Sequence, residues 1–206
     1  MVNEPGKMTG NDTETGITRR KFILSAIIVA ILGAFASLLS LLKVLAPAKK
    51  GGGYVSTINP GDTLVYASGT NIGIEIKASS MNPGDAVLVY PKGKASNPAN
   101  LVQLIRLQDS VFKAPTDVKL TDKGFVAYSA ICTHLGCTVS WVKNDKSPEA
   151  SYTECFCHNS IFNPAQGDKV MGGPAPIPLA QIGVKVTGDD AIVFTGNFIG
   201  PIGPQV

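Results

Sequence analysis

From residue 54 onward, apolar residues alternate with polar ones or form short runs between turn residues. This pattern is typical of antiparallel β-structure, in which successive side chains point to opposite faces of a sheet. The segments predicted as strands are Leu64–Ala67, Ile72–Ala78, Ala86–Tyr90, Leu101–Leu107, Phe125–Ser129, Thr138–Val142, Val184–Thr187 and Ala191–Thr195. Residues 143–154 lack periodicity, and we expect a surface connection there. The pattern therefore predicts a mostly β head domain at 54–206 without a long helix.

Two turn sequences share the residues Asn-Pro-Gly-Asp. Asn59–Asp62 and Asn82–Asp85 each precede a predicted strand. Pro fixes one backbone angle, Gly accepts a positive φ, and Asn and Asp hydrogen-bond to nearby backbone, so each residue favours a tight turn. We interpret the similarity as shared turn chemistry and not as a functional repeat.

The N-terminal part has a different pattern. Residues 1–16 are polar, and we expect a flexible tail. Residues 22–42 contain no charged side chain, and a helix of that length, at about 1.5 Å per residue, spans the roughly 30 Å hydrocarbon core of a bilayer. We predict a transmembrane anchor at 22–45, in preference to a buried core helix, which is usually shorter and keeps a polar face. A flexible hinge at 46–53 follows, with the run Gly51, Gly52 and Gly53.

The segment just before the apolar run contains Arg19 and Arg20, followed by Lys21 and an apolar pair. It resembles a twin-arginine export signal, a route for proteins that load cofactors before they cross the membrane. The alternative is that these are positive flanking charges of an anchor. Residues 46–48 also fit a small-residue cleavage site, but the apolar run is longer than that of a typical signal peptide. Either interpretation leaves residues 1–21 in the cytoplasm and the head on the outer, periplasmic side of the cell inner membrane, held by a single-pass anchor.

The charge distribution argues against nucleic acid as a partner. The chain has 18 basic and 15 acidic residues, for a net charge of +3. They are spread along the sequence without the dense Lys/Arg stripe that binding to phosphates requires.

All four cysteines and both histidines lie in two short boxes, residues 132–137 (Cys-Thr-His-Leu-Gly-Cys) and residues 155–160 (Cys-Phe-Cys-His-Asn-Ser). Thiolate and imidazole are the ligands of zinc and of iron–sulfur clusters. A zinc finger keeps its Cys pair and its His pair apart, whereas each box here mixes the two types. If each loop gives a thiolate to one iron and an imidazole to the other, the product is a 2Fe-2S cluster. A single structural zinc ion is the alternative.

The two boxes, together with the loop Gly-Gly-Pro-Ala-Pro at 172–176, resemble the cluster-binding boxes of Rieske iron–sulfur proteins of the cytochrome bc-complex type. The anchor, the glycine hinge and the twin-arginine segment agree with that family. The resemblance implies a Rieske-type antiparallel β head with a small cluster-binding subdomain at about 128–180.

The resemblance also implies the roles of individual residues. Cys132 and Cys155 would bind one iron of the cluster, His134 and His158 the other iron, and Cys137 would form a disulfide with Cys157. The Ser160 hydroxyl would donate a hydrogen bond to a bridging sulfide, and residues 174–176 would cover the cluster. The residues implied to surround the cluster are Leu135, Gly136, Ser160, Phe162, Gly173, Pro174, Ala175 and Pro176.

The chemistry of such a centre follows from its charge. Two neutral imidazoles in place of two thiolates raise the potential to about −150 to +300 mV, against about −400 mV for plant-type ferredoxins. An imidazole on ferric iron loses its remaining proton more easily, and reduction reverses this change, so electron and proton uptake are coupled.

The resemblance implies that His134 and His158 are the catalytic residues of an iron–sulfur subunit in a membrane quinol:cytochrome c oxidoreductase. His158 would face the quinol and take its proton, and the head would then swing to reduce a c-type haem. A b-type cytochrome and a c-type cytochrome are the expected partners.

Two positions depart from the family pattern. Phe156 stands where the family usually has Pro, and Phe162 where it often has a Tyr that donates to a ligand sulfur. Loss of such a hydrogen bond lowers the potential, because the bond stabilises the more negative reduced cluster. We therefore hypothesise a low-potential quinol such as menaquinol. The alternative is that Phe162 is ordinary core packing.

Other redox proteins share parts of this motif set. The electron-transfer subunit of a molybdenum oxidoreductase such as arsenite oxidase is the second expectation. The anchor and hinge favour the quinol complex, because a static subunit has no need to swing. A Rieske oxygenase is disfavoured, since both histidines are used and a second His/His/carboxylate iron site is lacking.

Overall fold

The computed structural model describes residues 21–24, 26–28, 30–33 and 54–205. The chain divides into two units, Met1–Ala48 and Lys49–Val206. The described residues of the first unit are helical, and their side chains are exposed. Within the described parts of the chain, no helix has the length and apolar character needed to cross a bilayer. Most of the predicted anchor, the Arg19–Arg20 pair and the glycine hinge lie outside the described residues.

Residues 54–205 form short strands and single-turn 3-10 helices. The strands are β1 (Leu64–Tyr66), β2 (Ala86–Pro91), β3 (Val102–Arg106), β4 (Phe125–Ser129), β5 (Ser140–Val142), β6 (Tyr152–Cys155), β7 (Ser160–Asn163), β8 (Lys169–Gly172), β9 (Gln181–Ile182), β10 (Val184–Val186) and β11 (Ile192–Phe194). The 3-10 helices are Ala78–Ser80, Pro98–Asn100, Asp109–Val111, Val118–Leu120, Pro148–Ala150 and Pro164–Gln166. The mostly β character that the sequence predicts is confirmed.

The strands form three antiparallel sheets. A five-stranded sheet has the order β1-β2-β3-β4-β9, a four-stranded sheet the order β5-β6-β7-β8, and β10 pairs with β11. Every pair in these sheets is antiparallel. Both Cys/His boxes adjoin the four-stranded sheet, which therefore determines how they meet.

The central strands β3 and β4 are buried on both faces, because successive side chains enter different parts of the core. Leu104 and Phe125 pack in a cluster with residues of β10 and β11. Ile105 and Tyr128 point the other way, into a cluster that also contains Cys132 and other residues near the boxes. The second cluster joins the five-stranded sheet to the four-stranded sheet and underlies the candidate metal site.

Most of the predicted strands are confirmed: β1 to β5, β10 and β11 each lie within or overlap a predicted segment. The prediction of a strand at Ile72–Ala78 was wrong. That segment makes only isolated bridges, from Glu75 to Val65 and from Lys77 to Ala191. Gly73 has φ +80° and lies in a turn, and Ala78 begins a 3-10 helix, so only residues 74–77 of the segment remain extended.

The expectation of a surface connection throughout residues 143–154 was wrong at its C-terminal end. Tyr152 begins β6, and Thr153 pairs with Trp141 on one side and with Phe162 on the other. The strands β7, β8 and β9 were also absent from the prediction. All four are short, and they are strands because neighbouring segments pair with them and not because of their own pattern.

Both Asn-Pro-Gly-Asp turns have the same closure, as predicted. The backbone N–H of Asn59 donates to Oδ2 of Asp62 at 2.8 Å, and the N–H of Asp62 donates to the Asn59 carbonyl at 3.2 Å. The corresponding distances for Asn82 and Asp85 are 2.8 and 3.0 Å. Two hydrogen bonds therefore close each turn: the Asp side chain accepts from the Asn N–H, and the Asn carbonyl accepts from the Asp N–H.

We predict that Ile192→Ala lowers the free energy of unfolding by about 2–5 kcal/mol, because it leaves a cavity in the core cluster of β3, β4, β10 and β11. Ile192 is 1% exposed. The matched control is Ile72→Ala, at a side chain that is 66% exposed, with an expected change within about 0.5 kcal/mol. Urea unfolding followed by circular dichroism measures both, and equal effects would contradict this description of the core.

Candidate metal centre

The first box is a tight loop between β4 and β5. The N–H of Cys132 donates to the Cys137 carbonyl at 2.8 Å, and the N–H of Gly136 donates back to the Cys132 carbonyl at 3.0 Å. Gly136 has φ +83°, a backbone conformation that residues other than Gly rarely adopt. The loop buries Cys132 completely and leaves His134 partly exposed.

The second box is the connection of a β-hairpin. Cys155 ends β6 and pairs with Ser160, which begins β7, and both are buried. Asn159 takes a left-handed φ of +57° to reverse the chain, as Asn does more readily than most residues. The hairpin tip thereby places Phe156, Cys157 and His158 on the surface.

A disulfide between Cys137 and Cys157 joins the two boxes, with Cα atoms 6.6 Å apart. The pairing that the family resemblance implies is therefore present. The sulfur of Cys155 lies within 4.8 Å of both disulfide sulfurs. Because the bonded sulfurs offer no thiolate, the free thiols at this place are those of Cys155 and Cys132.

The structure brings the four predicted ligand residues together in two pairs. Cys132 and Cys155 are free and buried, and Cys155 contributes to the raised pKa of Cys132. The rings of His134 and His158 lie edge to face, with centroids 4.7 Å apart and planes at 87°. The thiols lie on the core side, and the imidazoles lie toward solvent.

The donor set fits a cationic metal group. Burial raises the pKa of the Cys132 thiol to about 11, and Cys155 adds to the rise, while the backbone N–H of His134 favours the thiolate. Two adjacent buried thiolates would repel each other unless positive charge lay between them. No group of the described residues forms a hydrogen bond with the buried Nδ1 of His134, and such an atom is costly unless it binds something. Iron satisfies both requirements.

A third loop, Gly173–Pro178, packs against the second box. The N–H of Ala175 donates to Oγ of Ser160 at 3.1 Å, and Oγ1 of Thr133 donates to the Ile177 carbonyl at 2.7 Å. The hydroxyl of Ser160 also favours the thiolate form of Cys132. Ala175 is buried, while Pro174 and Pro176 are exposed. The third loop thus holds both boxes from one side.

The predicted neighbours of the cluster divide between core and surface. Phe162 is completely buried in the same core cluster as Cys132 and Cys155. Leu135 is 54% exposed, and Phe156, which was not among the predicted neighbours, is 62% exposed. Each histidine-bearing loop therefore exposes one large apolar side chain.

The sequence did not predict that Tyr54, Pro204 and Gln205 contact the first box. A Cβ on Gly136 would lie 3.2 Å from Oη of Tyr54 and 3.3 Å from Cγ of Pro204. The N–H of Gln205 donates to the Thr133 carbonyl at 2.9 Å. Residues near both ends of the head thus contact the same loop, and no local sequence pattern marks such a contact.

We predict that Gly173→Ala destabilises the site. Gly173 has φ +84°, and an added Cβ would lie 2.4 Å from the Asn159 carbonyl oxygen and 2.5 Å from Cα of Ser160. The backbone conformation alone costs a side chain about 1–2 kcal/mol, and the clash adds to it. The expected result is a lower free energy of unfolding and less bound iron.

The neighbouring Gly172→Ala is the matched control. A Cβ at Gly172 would meet nothing within 4 Å, so its effect should stay within about 0.5 kcal/mol. Chemical unfolding and iron analysis compare the two variants, and equal iron content would refute the proposed role of Gly173.

Residues 83–193 match the family described as Rieske [2Fe-2S] domain. A Microcystis aeruginosa protein named cytochrome b6-f complex iron-sulfur subunit is 30% identical over 190 residues, which are 92% of this chain and 90% of the relative. A Streptomyces coelicolor cytochrome bc1 complex Rieske iron-sulfur subunit is 28% identical over 93% of this chain, which spans only 54% of that relative.

A third relative, from Haloferax mediterranei, is provisionally named as the Rieske subunit of a respiratory nitrate reductase; it is 28% identical over 94% of this chain and 83% of its own length. Among solved structures, one described as hyperthermophilic respiratory Complex III is 24% identical, covers 81% of this chain and 98% of its own, and has a TM-score of 0.40. The family match, the antiparallel sheets and the disulfide-joined boxes lead to one conclusion: this chain belongs to the Rieske [2Fe-2S] domain family, whose cofactor is a 2Fe-2S cluster.

Proposed function

We propose that Cys132 and Cys155 bind one iron of the cluster and that His134 and His158 bind the other. The observation that carries this assignment is the pairing of two buried free thiols with two imidazoles 4.7 Å apart. The disulfide removes the remaining cysteines from competition for the metal. Each loop then contributes one sulfur and one nitrogen donor, which is the ligand set of a Rieske centre.

We infer that the chain is the iron–sulfur subunit of a membrane quinol:cytochrome c oxidoreductase. When bound, the cluster supplies one-electron transfer at about −150 to +300 mV, within the range of quinol oxidation. Relatives named as subunits of cytochrome bc1 and b6-f complexes support this role. The partners would then be a b-type cytochrome, which provides the quinol site, and a c-type cytochrome, which receives the electron.

The residues at the tip support proton transfer from the quinol. His158 is exposed, so its imidazole is within reach of a docked hydroxyl, whereas a thiol ligand in the core is not. Leu135 and Phe156 present apolar surface beside it, which suits the ring of a quinol. His158 would accept the hydroxyl proton while the quinol electron enters the centre, and the head would then carry the electron to a c-type haem.

The membrane arrangement is part of the same proposal. The uncharged run at 22–42 would hold the head at the outer face of the cell inner membrane, and residues 46–53 would let it move between partners. The segment with Arg19 and Arg20 would direct export after the cluster is loaded.

A second candidate is the electron-transfer subunit of another respiratory oxidoreductase, such as a molybdenum enzyme of the arsenite oxidase type. The Haloferax relative, with its nitrate reductase name, favours it. The two candidates share the centre and differ in the partner that receives the electron.

The ligand assignment predicts different results for two cysteine variants. Cys132→Ala removes a sulfur donor, so iron and acid-labile sulfide should be lost together with the electron paramagnetic resonance spectrum of the reduced protein. Cys137→Ala removes the disulfide and frees the Cys157 thiol but keeps all four proposed ligands, so freshly purified protein should keep two irons and two sulfides, the content of a 2Fe-2S cluster, but lose them faster. A wild-type protein with a single zinc ion and no sulfide would refute the assignment.

The choice between the two parent complexes depends on the partner. Copurification of a b-type cytochrome with the full chain from native membranes, and reduction of the centre by added menaquinol, are the results expected for the quinol complex. Copurification with a molybdenum subunit, without b-type haem, would contradict it.

We predict that Phe162→Tyr raises the midpoint potential. The new hydroxyl would lie in the core cluster that contains both cysteine ligands, and a hydrogen bond to sulfur stabilises the reduced state. The control is Phe194→Tyr, an equally buried ring in the other core cluster, which should leave the potential unchanged. Protein-film voltammetry compares them, and equal shifts would argue against tuning toward a low-potential quinol through Phe162.

A further inference from the structure

A buried carboxyl group at the start of β8 has no part in the proposed mechanism. Asp168 is 0% exposed and directly precedes β8. Gly167 and Asp168 both have positive φ, +64° and +49°. This turn directs the chain so that the side chain lies inside the fold. Neither carboxyl oxygen has a hydrogen-bond partner among the described residues.

The polar groups around Asp168 use their protons elsewhere. Oγ1 of Thr153, on β6, donates to Oε1 of Gln103, on β3, at 2.8 Å. The hydroxyl of Tyr128, on β4, donates to the Pro164 carbonyl at 2.8 Å. The Thr153 hydroxyl favours ionised Asp168, but less than burial opposes it, and Tyr128 is a titratable group whose pKa the charge of Asp168 raises. Within residues 54–205, no lysine, arginine or histidine forms an ion pair with this carboxyl group.

An unpaired carboxylate in such a place is unfavourable, because desolvation is not compensated by donors or by a cation. Burial accordingly raises the pKa of Asp168 well above its usual range. Burial, and next the charge of Asp168, also raise the pKa of Tyr128. The phenol therefore stays neutral, and the carboxyl group is the member of this pocket that changes charge.

The residues around Asp168 are connected to the metal site in two ways: through strand β6 and through the core cluster that contains Tyr128 and both free cysteines. Thr153 lies two residues before Cys155 on β6, which places both side chains on one face at a spacing of about 6.6–6.8 Å. Phe162 lies opposite Thr153, and Ser160 opposite Cys155. Tyr128, Phe162 and both free cysteines belong to one buried cluster. Charges separated by such a core are screened much less than charges in water.

We propose that Asp168 is a proton-binding residue coupled to electron transfer at the metal site, in addition to the histidine ligands. One electron from the quinol, or from an electrode, adds a negative charge near the pocket. The Asp168 carboxylate then binds one proton from solvent, which forms one O–H bond, and releases it when the electron leaves. The inference rests on the proposed ligand arrangement, since that arrangement places the added charge beside β6.

The test is the midpoint potential as a function of pH, measured by voltammetry on the full chain in detergent, for wild type and Asp168→Asn. At low pH, where Asp168 is protonated in both redox states, the two curves should run parallel. As pH rises, the wild-type potential should fall below that of the variant, because only the wild type gains a charge. Asp145→Asn is the control: the Asp145 side chain is 87% exposed, and its curve should follow wild type.

Two outcomes would overturn the proposal: superimposed curves, or an offset that does not change with pH, since the latter is what a purely structural change produces. Iron and sulfide content, measured on the same samples, separates these outcomes from failure of the proposed function, which would show as absence of the cluster.

A measurement on the wild type alone keeps the proposal testable if the variant does not fold. An oxidised-minus-reduced infrared difference spectrum should show a protonated carboxyl band that gains intensity on reduction. Its absence across the accessible pH range would overturn the proposal.

Stability provides an independent check of the protonation state. Because the folded-state pKa of Asp168 is raised above its ordinary 3.8, its stabilising contribution is complete below that value and is lost as pH rises toward the folded pKa. Asp168→Asn should therefore become progressively more stable than wild type over that range, and pH-independent relative stability would contradict a buried neutral carboxyl group.

Discussion

The structure depends on one constraint: two loops from different parts of the chain must bring thiol and imidazole groups to the same point and hold them there. Neither loop is regular structure, so neither has a ladder of backbone hydrogen bonds to fix it. The disulfide, separated by 20 residues in sequence, ties the loops directly. The Ser160–Ala175 and Thr133–Ile177 hydrogen bonds tie each loop to the third one. These links hold the donors of the two loops close together.

The site is asymmetric in its exposure to water, and this asymmetry divides its chemistry. The thiols lie at the edge of the hydrophobic core, where a charge is weakly screened and strongly affects its neighbours. The imidazoles lie toward solvent, on the two loops that also expose the side chains of Leu135 and Phe156. In the proposed function, a centre held in this way would exchange protons and electrons with a partner on its exposed side, while its other side lies against the core. That division is what the proposed oxidation of a quinol requires.

The dry side is not purely apolar. A pocket of Gln103, Thr153, Tyr128 and Asp168 crosses between the two larger sheets. The Thr153 hydroxyl donates to the Gln103 side chain and the Tyr128 hydroxyl to the Pro164 carbonyl, whereas the carboxyl group has no hydrogen-bond partner within residues 54–205. Proteins seldom retain an unpaired buried charge, because desolvation is expensive. The simplest physical account is a group that holds a proton and loses it only when the local potential allows.

The sequence by itself determined the parts that depend on local chemistry. It identified the two boxes, because soft ligands in mixed order have few other uses, and it identified β2, β3 and β4, because their apolar runs are strong. The Asn-Pro-Gly-Asp turns followed from the conformational preferences of four adjacent residues. Only the tertiary structure decided the remainder. The strands β6 to β8 are specified by their pairing with neighbouring strands, and the predicted strand at 72–78 is shortened by a turn at its start and a 3-10 helix at its end. The contacts of Tyr54 and Pro204 with the first box, and the burial of Asp168, involve residues far apart in sequence, so no local sequence pattern predicts them.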